Sequence, residues 1–246
     1  MRKRRVLTAA GLALVLVIGA GALARAQQDW RGASREPVGL APDPATTAEA
    51  VVQVYGARAV GARGVFGVHT WVAVKPARAG EYTVYEVTGW KLRWSDSAIS
   101  IRARAPDARW FGAEPELYAD RRGAQAEPLI ARIDAAARSY PFAGEYRAWP
   151  GPNSNTFTAW ITRQVPELRA DLPPTAIGKD YLRGKVLASA PSGRGLQLSL
   201  AGLLALTASS VEGLELNVLG LSFGVDPWPP ALKLPLAGRL GASSAP

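Results

Sequence analysis

The apolar residues of this chain change their spacing once, and this change limits the fold. Four runs with the composition of β-strands occupy residues 50–55, 65–74, 82–87 and 98–104, with Gly, Pro, Ser and Asp between them. Residues 128–140 then carry apolar side chains at helical spacing. This order predicts an α+β fold in which helices pack on a small antiparallel sheet.

Two further helices are predicted. One begins near Ser154 and runs to about Gln164, because Pro166 disfavours helical backbone in the residue before it. A shorter helix is predicted around residues 114–121, where Gly123 would supply a C-terminal cap.

The C-terminal region contains two leucine-rich runs, at residues 196–206 and 214–223. Polar residues such as Gln197 and Glu215 interrupt them, so neither has the roughly 20 apolar residues that span a bilayer. We expect a buried C-terminal β-hairpin that closes the sheet, followed by a Pro-rich strap at residues 226–230. The alternative is that the leucines form a lipid-facing surface.

The N-terminus has the features of an export signal. A basic cluster at residues 1–5 precedes a run without charge from Val6 to Leu23, and Ala24-Arg25-Ala26 follows. This pattern indicates a secretory signal peptide, although the run is also close to the length of a membrane anchor. In either case we expect an exported protein, either periplasmic or anchored to the inner membrane with its domain outside the cytoplasm.

These features divide the chain into four parts. Residues 1–26 are predicted to be a signal peptide or N-terminal membrane anchor, and residues 27–48 a linker. Residues 49–185 form the α+β core, and residues 186–246 add the hairpin and strap to the same domain.

Composition excludes several classes of site. The chain has no cysteine and one histidine, so it forms no disulfide, has no thiolate nucleophile and lacks a Cys- or His-based metal site. No phosphate-binding or dinucleotide-binding motif occurs either, and we predict no cofactor. Five of the nine net positive charges lie in residues 1–26, so the rest of the chain carries only +4 and nucleic-acid binding is not predicted.

His69 is the only imidazole available as a base. In an extended strand, Phe66, Val68, Thr70, Val72 and Val74 share one face, which we predict to be core. His69, Trp71 and Lys75 then share the wetter or cleft-facing side, where Trp71 could form a wall of a site. The simpler alternative is an ordinary half-exposed histidine.

Ser154 opens the predicted helix within the run Asn153-Ser154-Asn155-Thr156. Side chains of these types cap helices by accepting hydrogen bonds from unpaired N–H groups, so any of them could simply be the cap. The same N–H groups and the helix dipole also favour negative charge, which suits an oxyanion or an anionic ligand. Both interpretations stay open.

Several segments carry a resemblance to known families. They are VYGARAV (54–60), HTWVAVKP (69–76), YEVTGW (85–90), APDARWFGAEPEL (105–117), WPGPNSNTFTAW (149–160) and DLPPTAIGKDYL (171–182). Together they resemble the bacterial domain-of-unknown-function family 3750. More distantly, HTW followed by NSNTF resembles the circularly permuted NlpC-type papain-like proteins.

The distant resemblance implies roles for particular residues. Ser154 stands where those proteins hold the nucleophilic cysteine, and His69 stands at the base. Glu86, on the following strand, would orient the imidazole, and Asn153 would lock the turn before the nucleophile. Within DLPPTAIGKDYL, Pro and Gly predict a loop with Lys179 and Asp180 in solvent.

Two functions follow from this pattern. The missing thiol favours a non-catalytic cleft in the cell envelope, in which Asn153, Asn155 and Trp71 help to bind a peptide, a glycan or a lipid head group. The retained histidine favours a Ser-His hydrolase or acyltransferase that acts on an amide or ester in the envelope.

Overall fold

The computed structural model describes residues 19–21, 24 and 30–242. Nearly all of the predicted signal peptide or anchor therefore lies outside the described residues. Among the residues that are described, no helix has the length and apolar character needed to cross a membrane.

The first half of the described chain forms an antiparallel sheet with the strand order β4-β3-β2-β1-β5. The strands are β1 (Val51–Arg58), β2 (Val68–Lys75), β3 (Thr83–Val87), β4 (Ile99–Ala103) and β5 (Glu116–Arg122). Two helices, α1 (Glu127–Arg138) and α2 (Ser154–Gln164), pack on one face of this sheet. Apolar side chains such as Val72, Ile133 and Phe157 fill the interface and form the main core.

Short 3-10 helices connect several of these elements. They span Gly61–Val65, Gly89–Arg93, Gly123–Gln125 and Pro166–Leu168. The first two lie directly after β1 and β3, so they flank the same end of the sheet. This placement puts them beside the candidate site.

The C-terminal part forms a second antiparallel sheet, in which each strand pairs with the next along the chain. The strands are β6 (Leu187–Ser189), β7 (Leu196–Leu200), β8 (Leu204–Ser209), β9 (Gly213–Val218), β10 (Leu221–Pro227), β11 (Pro230–Leu234) and β12 (Gly238–Gly241). The predicted hairpin is thus part of a larger sheet. The residues predicted as a strap lie at the turn between β10 and β11.

The outward side of this second sheet consists of apolar side chains, which we call the leucine face. Its members are Leu187, Leu196, Leu198, Leu200, Leu204, Leu206, Leu214, Leu216, Val218, Leu221, Phe223, Val225, Leu232 and Leu240. Each of these residues is exposed. The expectation of a buried hairpin that closes the first sheet is therefore wrong, because these leucines face away from the core.

The inward side of the second sheet is polar and buried, and it joins the first unit through hydrogen bonds and ion pairs. Gln197 and Asn217 both donate to the carboxylate of Asp180. Lys179 pairs with Glu215, and both side chains are buried. Lys179 and Asp180 were predicted to lie in solvent, and this is wrong, since the second sheet covers them.

The helix predicted around residues 114–121 is wrong as well, because this segment forms β5. It pairs with β1 in antiparallel register, with Val54 opposite Ala119. Without β5, the edge of β1 would expose unpaired backbone groups. Long-range pairing therefore outweighs the local helical preference.

Residues ahead of β1 are also packed in place. A bridge joins Pro37 to Ala108, and the Asp107 carboxylate accepts a 2.7 Å hydrogen bond from the Leu40 N–H. This packing places Trp110 over the far face of the first sheet, where a second apolar cluster forms around Tyr55 and Trp71.

Candidate functional site

The beginning of α2 is fixed by a capping box. The Asn153 side-chain oxygen accepts hydrogen bonds from the N–H groups of Asn155 (2.9 Å) and Thr156 (3.2 Å). In return, the Thr156 hydroxyl accepts from the Asn153 N–H at 3.1 Å. Asn153 is therefore the helix cap, and Ser154 is the first helical residue.

The amide group of Asn153 also anchors this turn to the rest of the protein. Its nitrogen donates to the carbonyls of Ala148 (3.1 Å) and Ile177 (2.9 Å). Gly178 lies directly against it, with a φ of +100°, and a Cβ there would stand 2.4 Å from the Asn153 side-chain nitrogen. Only glycine fits this position without displacing the cap.

Asn155 joins the helix to β2. Its side-chain nitrogen donates to the carbonyl of Val68 at 3.0 Å and to that of Ile177 at 2.8 Å. Its oxygen accepts from the Thr70 hydroxyl at 3.0 Å. These bonds hold the helix start beside the strand that carries His69.

The structure brings His69 and Glu86 together. The His69 Nε2 lies 3.1 Å from the Glu86 Oε2, and both side chains are buried. The Trp110 ring stacks on the imidazole, with 3.7 Å between the ring centroids. Trp110 and the segment before β1 cover this face of β2, so it is not wet, although His69 still lines a cavity.

Trp71 and Lys75, on the same face as His69, are fully buried. Trp71 is fully buried behind His69 and donates its indole N–H to the Pro106 carbonyl at 2.8 Å. Lys75 donates to backbone carbonyls, including that of Glu49 at 2.7 Å. Phe66, predicted to be core, is 39% exposed instead.

Two arginines complete the surroundings of Glu86. Arg102 lies 3.2 Å and Arg104 3.4 Å from its carboxylate oxygens. Burial alone would raise the pKa of Glu86, but the hydrogen bond to His69 and the nearby positive charges lower the pKa to about 2. Glu86 is therefore ionised at neutral pH.

The protonation of His69 follows from this charge. Burial lowers the pKa of the imidazole below 6.5, and the Glu86 hydrogen bond only partly offsets this effect. A neutral imidazole beside a carboxylate places its proton on Nε2, which donates to Glu86. Nδ1 then carries the free electron pair, and it has no hydrogen-bond partner among the described residues. Chemically it is a base.

His69 and the start of α2 line one cavity of about 670 Å³. Its walls are mainly apolar and aromatic, with Trp90, Trp110, Tyr146 and Trp149 among them. Arg63 and Arg93 also line it, whereas Asp and Glu are absent from the described residues of the lining. The cavity is thus suited to an anionic or polar group with an apolar body.

Ser154 lies in this cavity, but its hydroxyl is not hydrogen-bonded to His69 among the described contacts. Burial raises the pKa of the Tyr146 hydroxyl, whereas Arg63 and a hydrogen bond with Ser154 lower it. Ser154 and Tyr146 both line this cavity. No group of three or more His, Cys, Asp or Glu side chains suited to a metal ion occurs in the described part.

A family model described as "Protein of unknown function (DUF3750)" matches residues 49–181, more than half of the chain. The chain belongs to this family. The matched range contains His69, Glu86 and Ser154 and ends before the second sheet begins at Leu187. No match was found among curated proteins or among solved structures.

Several residues around this candidate site could not be identified from the sequence. Arg102 lies in β4 and Arg104 directly after it, and both are next to Glu86 on the neighbouring strand. Because residues two apart in a strand face the same side, this pair of arginines could have indicated a negatively charged partner. Trp110 occurs in one of the segments that carry the resemblance, but nothing in its spacing indicates that it stacks on His69. Tyr146 and Arg63 come from connecting segments, which strand and helix periods do not position.

Proposed function

We propose that this protein is exported to the cell envelope and that its cavity, in a permuted papain-like arrangement, binds the anionic head of an envelope molecule. The histidine on an early strand, the acid on the next strand and the helix start opposite them support this arrangement. Of a peptide, a glycan and a lipid head group, the lipid head group fits the lining best, since aromatic and apolar walls surround the cations.

The charge of the lining carries this proposal. Arg63 and Arg93 both face the cavity, and neither forms an ion pair with a carboxylate among the described residues. The first N–H groups of α2 add partial positive charge at the same place. Both arginines are solvent-exposed at the cavity, and cations without nearby acids attract an anion, while the aromatic walls contact the apolar part of the ligand.

Titration of the full-length protein with two short-chain lipids tests this function. Dihexanoyl phosphatidic acid and dihexanoyl phosphatidylcholine share their acyl chains and differ in head-group charge. We expect the phosphatidic acid to bind more tightly, with about a tenfold loss of affinity for Arg63→Gln or Arg93→Gln.

The control for these variants is Arg132→Gln, which removes an arginine that pairs with Glu167 on the surface of α1, away from the cavity. It should bind as the unchanged protein does. Equal affinity for the two lipids, or equal loss in all three variants, would contradict binding through the cavity charges. Preference for an acidic peptide or a sugar phosphate would replace the lipid head group as the ligand class.

The His69–Glu86 pair favours a second candidate function, a Ser-His hydrolase or acyltransferase. In it the Ser154 hydroxyl attacks the acyl carbon of an amide or ester while its proton passes to the His69 Nδ1. His69 returns the proton to the leaving amine or alcohol, and Glu86 holds the imidazole in place. The Ser154 N–H stabilises the oxyanion, and water or an acceptor alcohol releases the acyl group.

This candidate has a separate test. A fluorophosphonate should label the full-length protein at Ser154, and the label should be absent from Ser154→Ala and reduced in His69→Gln. Thr158, a buried hydroxyl residue on the same helix, supplies the matched control Thr158→Val. No labelling of the unchanged protein, or equal labelling of Ser154→Ala, would contradict the catalytic candidate and leave the binding proposal intact.

A further inference from the structure

The leucine face is continuous across four strands. The pairing of β7 to β10 sets Leu198, Leu206, Leu216 and Phe223 side by side in one row. Similar rows lie on either side, and every outward-facing residue from 196 to 225 within these strands is apolar. A soluble antiparallel sheet normally shows the reverse pattern, with polar residues facing water.

This apolar side cannot turn inward, because the other side of the sheet is committed to polar contacts with the core. Seven strands about 4.8 Å apart and roughly 17 Å long give the face an area on the order of 500 Å². Contiguous apolar patches of this size mark an interaction surface. The remaining question is what covers it.

The chemistry of the face suits acyl chains better than protein. Protein interfaces are enriched in Tyr, Trp and Arg and carry about one hydrogen bond per 100–200 Å². The side chains of the leucine face have no hydrogen-bonding group. An aliphatic surface without polar groups fits the hydrocarbon of a lipid leaflet.

Residues typical of a membrane interface surround the face. Trp228 is 86% exposed in the turn between β10 and β11, at one end of the sheet. At the other end, the exposed Trp149 donates its indole N–H to the Leu219 carbonyl at 3.0 Å. Lys185 is exposed beside β6. Tryptophan and lysine prefer the head-group level of a bilayer.

The binding cavity lies near the leucine face, and Ala24 lies near the cavity. Leu219 and Leu221 line the binding cavity, and Leu221 belongs to the leucine face, so the cavity lies next to that face. Trp110 lines both this cavity and a second one of about 400 Å³, which Ala24 lines too. Ala24 therefore lies near the residues that line the binding cavity.

The tether between the apolar run that ends at Leu23 and the domain is short. The Ser34 carbonyl is held by the Gly112 N–H at 2.9 Å, which leaves eleven residues after Leu23. Fully extended, these span at most about 40 Å. A membrane that holds the N-terminal run would keep the domain within this distance.

We propose that the leucine face lies against the acyl chains of a phospholipid leaflet, so that the binding cavity opens at the head-group level. Attachment through this face does not depend on ligand binding in the cavity. Loss of one in an experiment therefore leaves the other testable.

Because the chain has no cysteine, single cysteines can report on the face directly. Leu206→Cys and Leu216→Cys place a fluorescent label on the face, and Glu81→Cys, in the exposed turn between β2 and β3, is the control. The full-length protein is incorporated into vesicles of phosphatidylethanolamine and phosphatidylglycerol. Nitroxide groups on the acyl chains should quench the two labels on the face and leave the control unquenched.

A second set of variants tests whether the apolar character matters. A label at Leu198→Cys should lose its lipid quenching in the double variant Leu206→Glu and Leu216→Glu, and keep it when both residues become Met. Both positions are about half-exposed, at 46% and 45%, so the circular dichroism spectrum and the thermal midpoint should not change.

Three results would overturn the proposal. If the labels on the face are quenched no more than the control label, the face contacts water. Shielding without lipid quenching, together with cross-links between copies, would mean that a second copy covers it. Shielding in lipid-free protein at any concentration would mean that the apolar N-terminal run covers it.

Discussion

Glu86 balances the charges of the site, since it lies between His69, Arg102 and Arg104. Glu86→Gln keeps the shape of the side chain but leaves Arg102 and Arg104 without the negative charge that they pair with. Loss of one partner in a buried ion pair costs about 3 kcal/mol of the free energy of unfolding. We expect this loss in urea denaturation.

The matched control is Glu114→Gln. Glu114 pairs with Arg109 at 2.7 Å, but its side chain is 67% exposed. Exposed pairs contribute little, so this variant should lose less than about 1 kcal/mol. Equal losses in the two variants would contradict the assignment of Glu86 as the central charge of the site.

His69 makes stability depend on pH. Its pKa in the folded protein is lower than 6.5, the ordinary value, so the unfolded chain takes up the proton first as the pH falls. The neutral imidazole makes its full contribution to the free energy of unfolding above pH 6.5. This contribution is lost progressively as the pH decreases towards the pKa of His69 in the folded protein. The urea concentration at the midpoint of unfolding should thus decrease as the pH is lowered from about 7.5 to about 5.5.

His69→Gln provides the comparison, because it removes this titration and keeps a donor near Glu86. The other titrating groups contribute to both proteins, so the difference between the two pH profiles isolates His69. Parallel profiles would show that the pKa of His69 is not lowered by folding.

At the scale of elements, the capping box determines where α2 begins and thus where Ser154 lies. Asn153→Ala removes the two accepted hydrogen bonds and the two donated by the amide, and should cost about 2 kcal/mol in urea denaturation. Asn153→Asp keeps the acceptor and loses the donors, so its cost should be smaller. Equal costs for the two variants would argue against the cap as the main contribution of Asn153.

Elements with a strong local signal could be predicted from the sequence. β1 to β4 and both helices lie close to the predicted ranges, because periodicity and the Asn-Ser-Asn-Thr cap act within one element. β5 could not be predicted, since its strand state depends on pairing with the distant β1. The leucine face was also misassigned, because alternation gives two faces of a strand without saying which one meets the core.

The candidate site was predictable to a similar extent. The sequence pointed to His69, Glu86 and Ser154, and the structure places His69 beside Glu86 and lines one cavity with His69 and Ser154. The cover of Trp110 over His69 depends on a connecting segment and could not be foreseen. The same is true of Tyr146, which lines the cavity together with Ser154.

At the scale of the whole molecule, buried charges join the second sheet to the first unit. The Lys233 ammonium donates to Asp171 at 2.6 Å and to Glu215 at 2.9 Å, and Lys179 pairs with the same Glu215. Lys233→Met keeps most of the side-chain volume but leaves these acids with one cation fewer. We expect a loss of about 3 kcal/mol and faster hydrogen exchange in β8 to β10.

Lys185→Met serves as the control for this lysine, because Lys185 is exposed and has no carboxylate partner among the described residues. It should unfold as the unchanged protein does. If both lysine variants unfold alike, the buried network does not hold the second sheet in place.

In the proposed function, the start of α2 and the two cavity arginines form one binding site for an anionic head group. Amide and indole NMR signals of the full-length protein, followed during titration with dihexanoyl phosphatidic acid, test this most directly. We expect the signals of Ser154, Asn155 and the Trp110 indole to shift together and saturate. Shifts confined to surface residues such as Arg132 and Glu167, with those three signals unchanged, would contradict it.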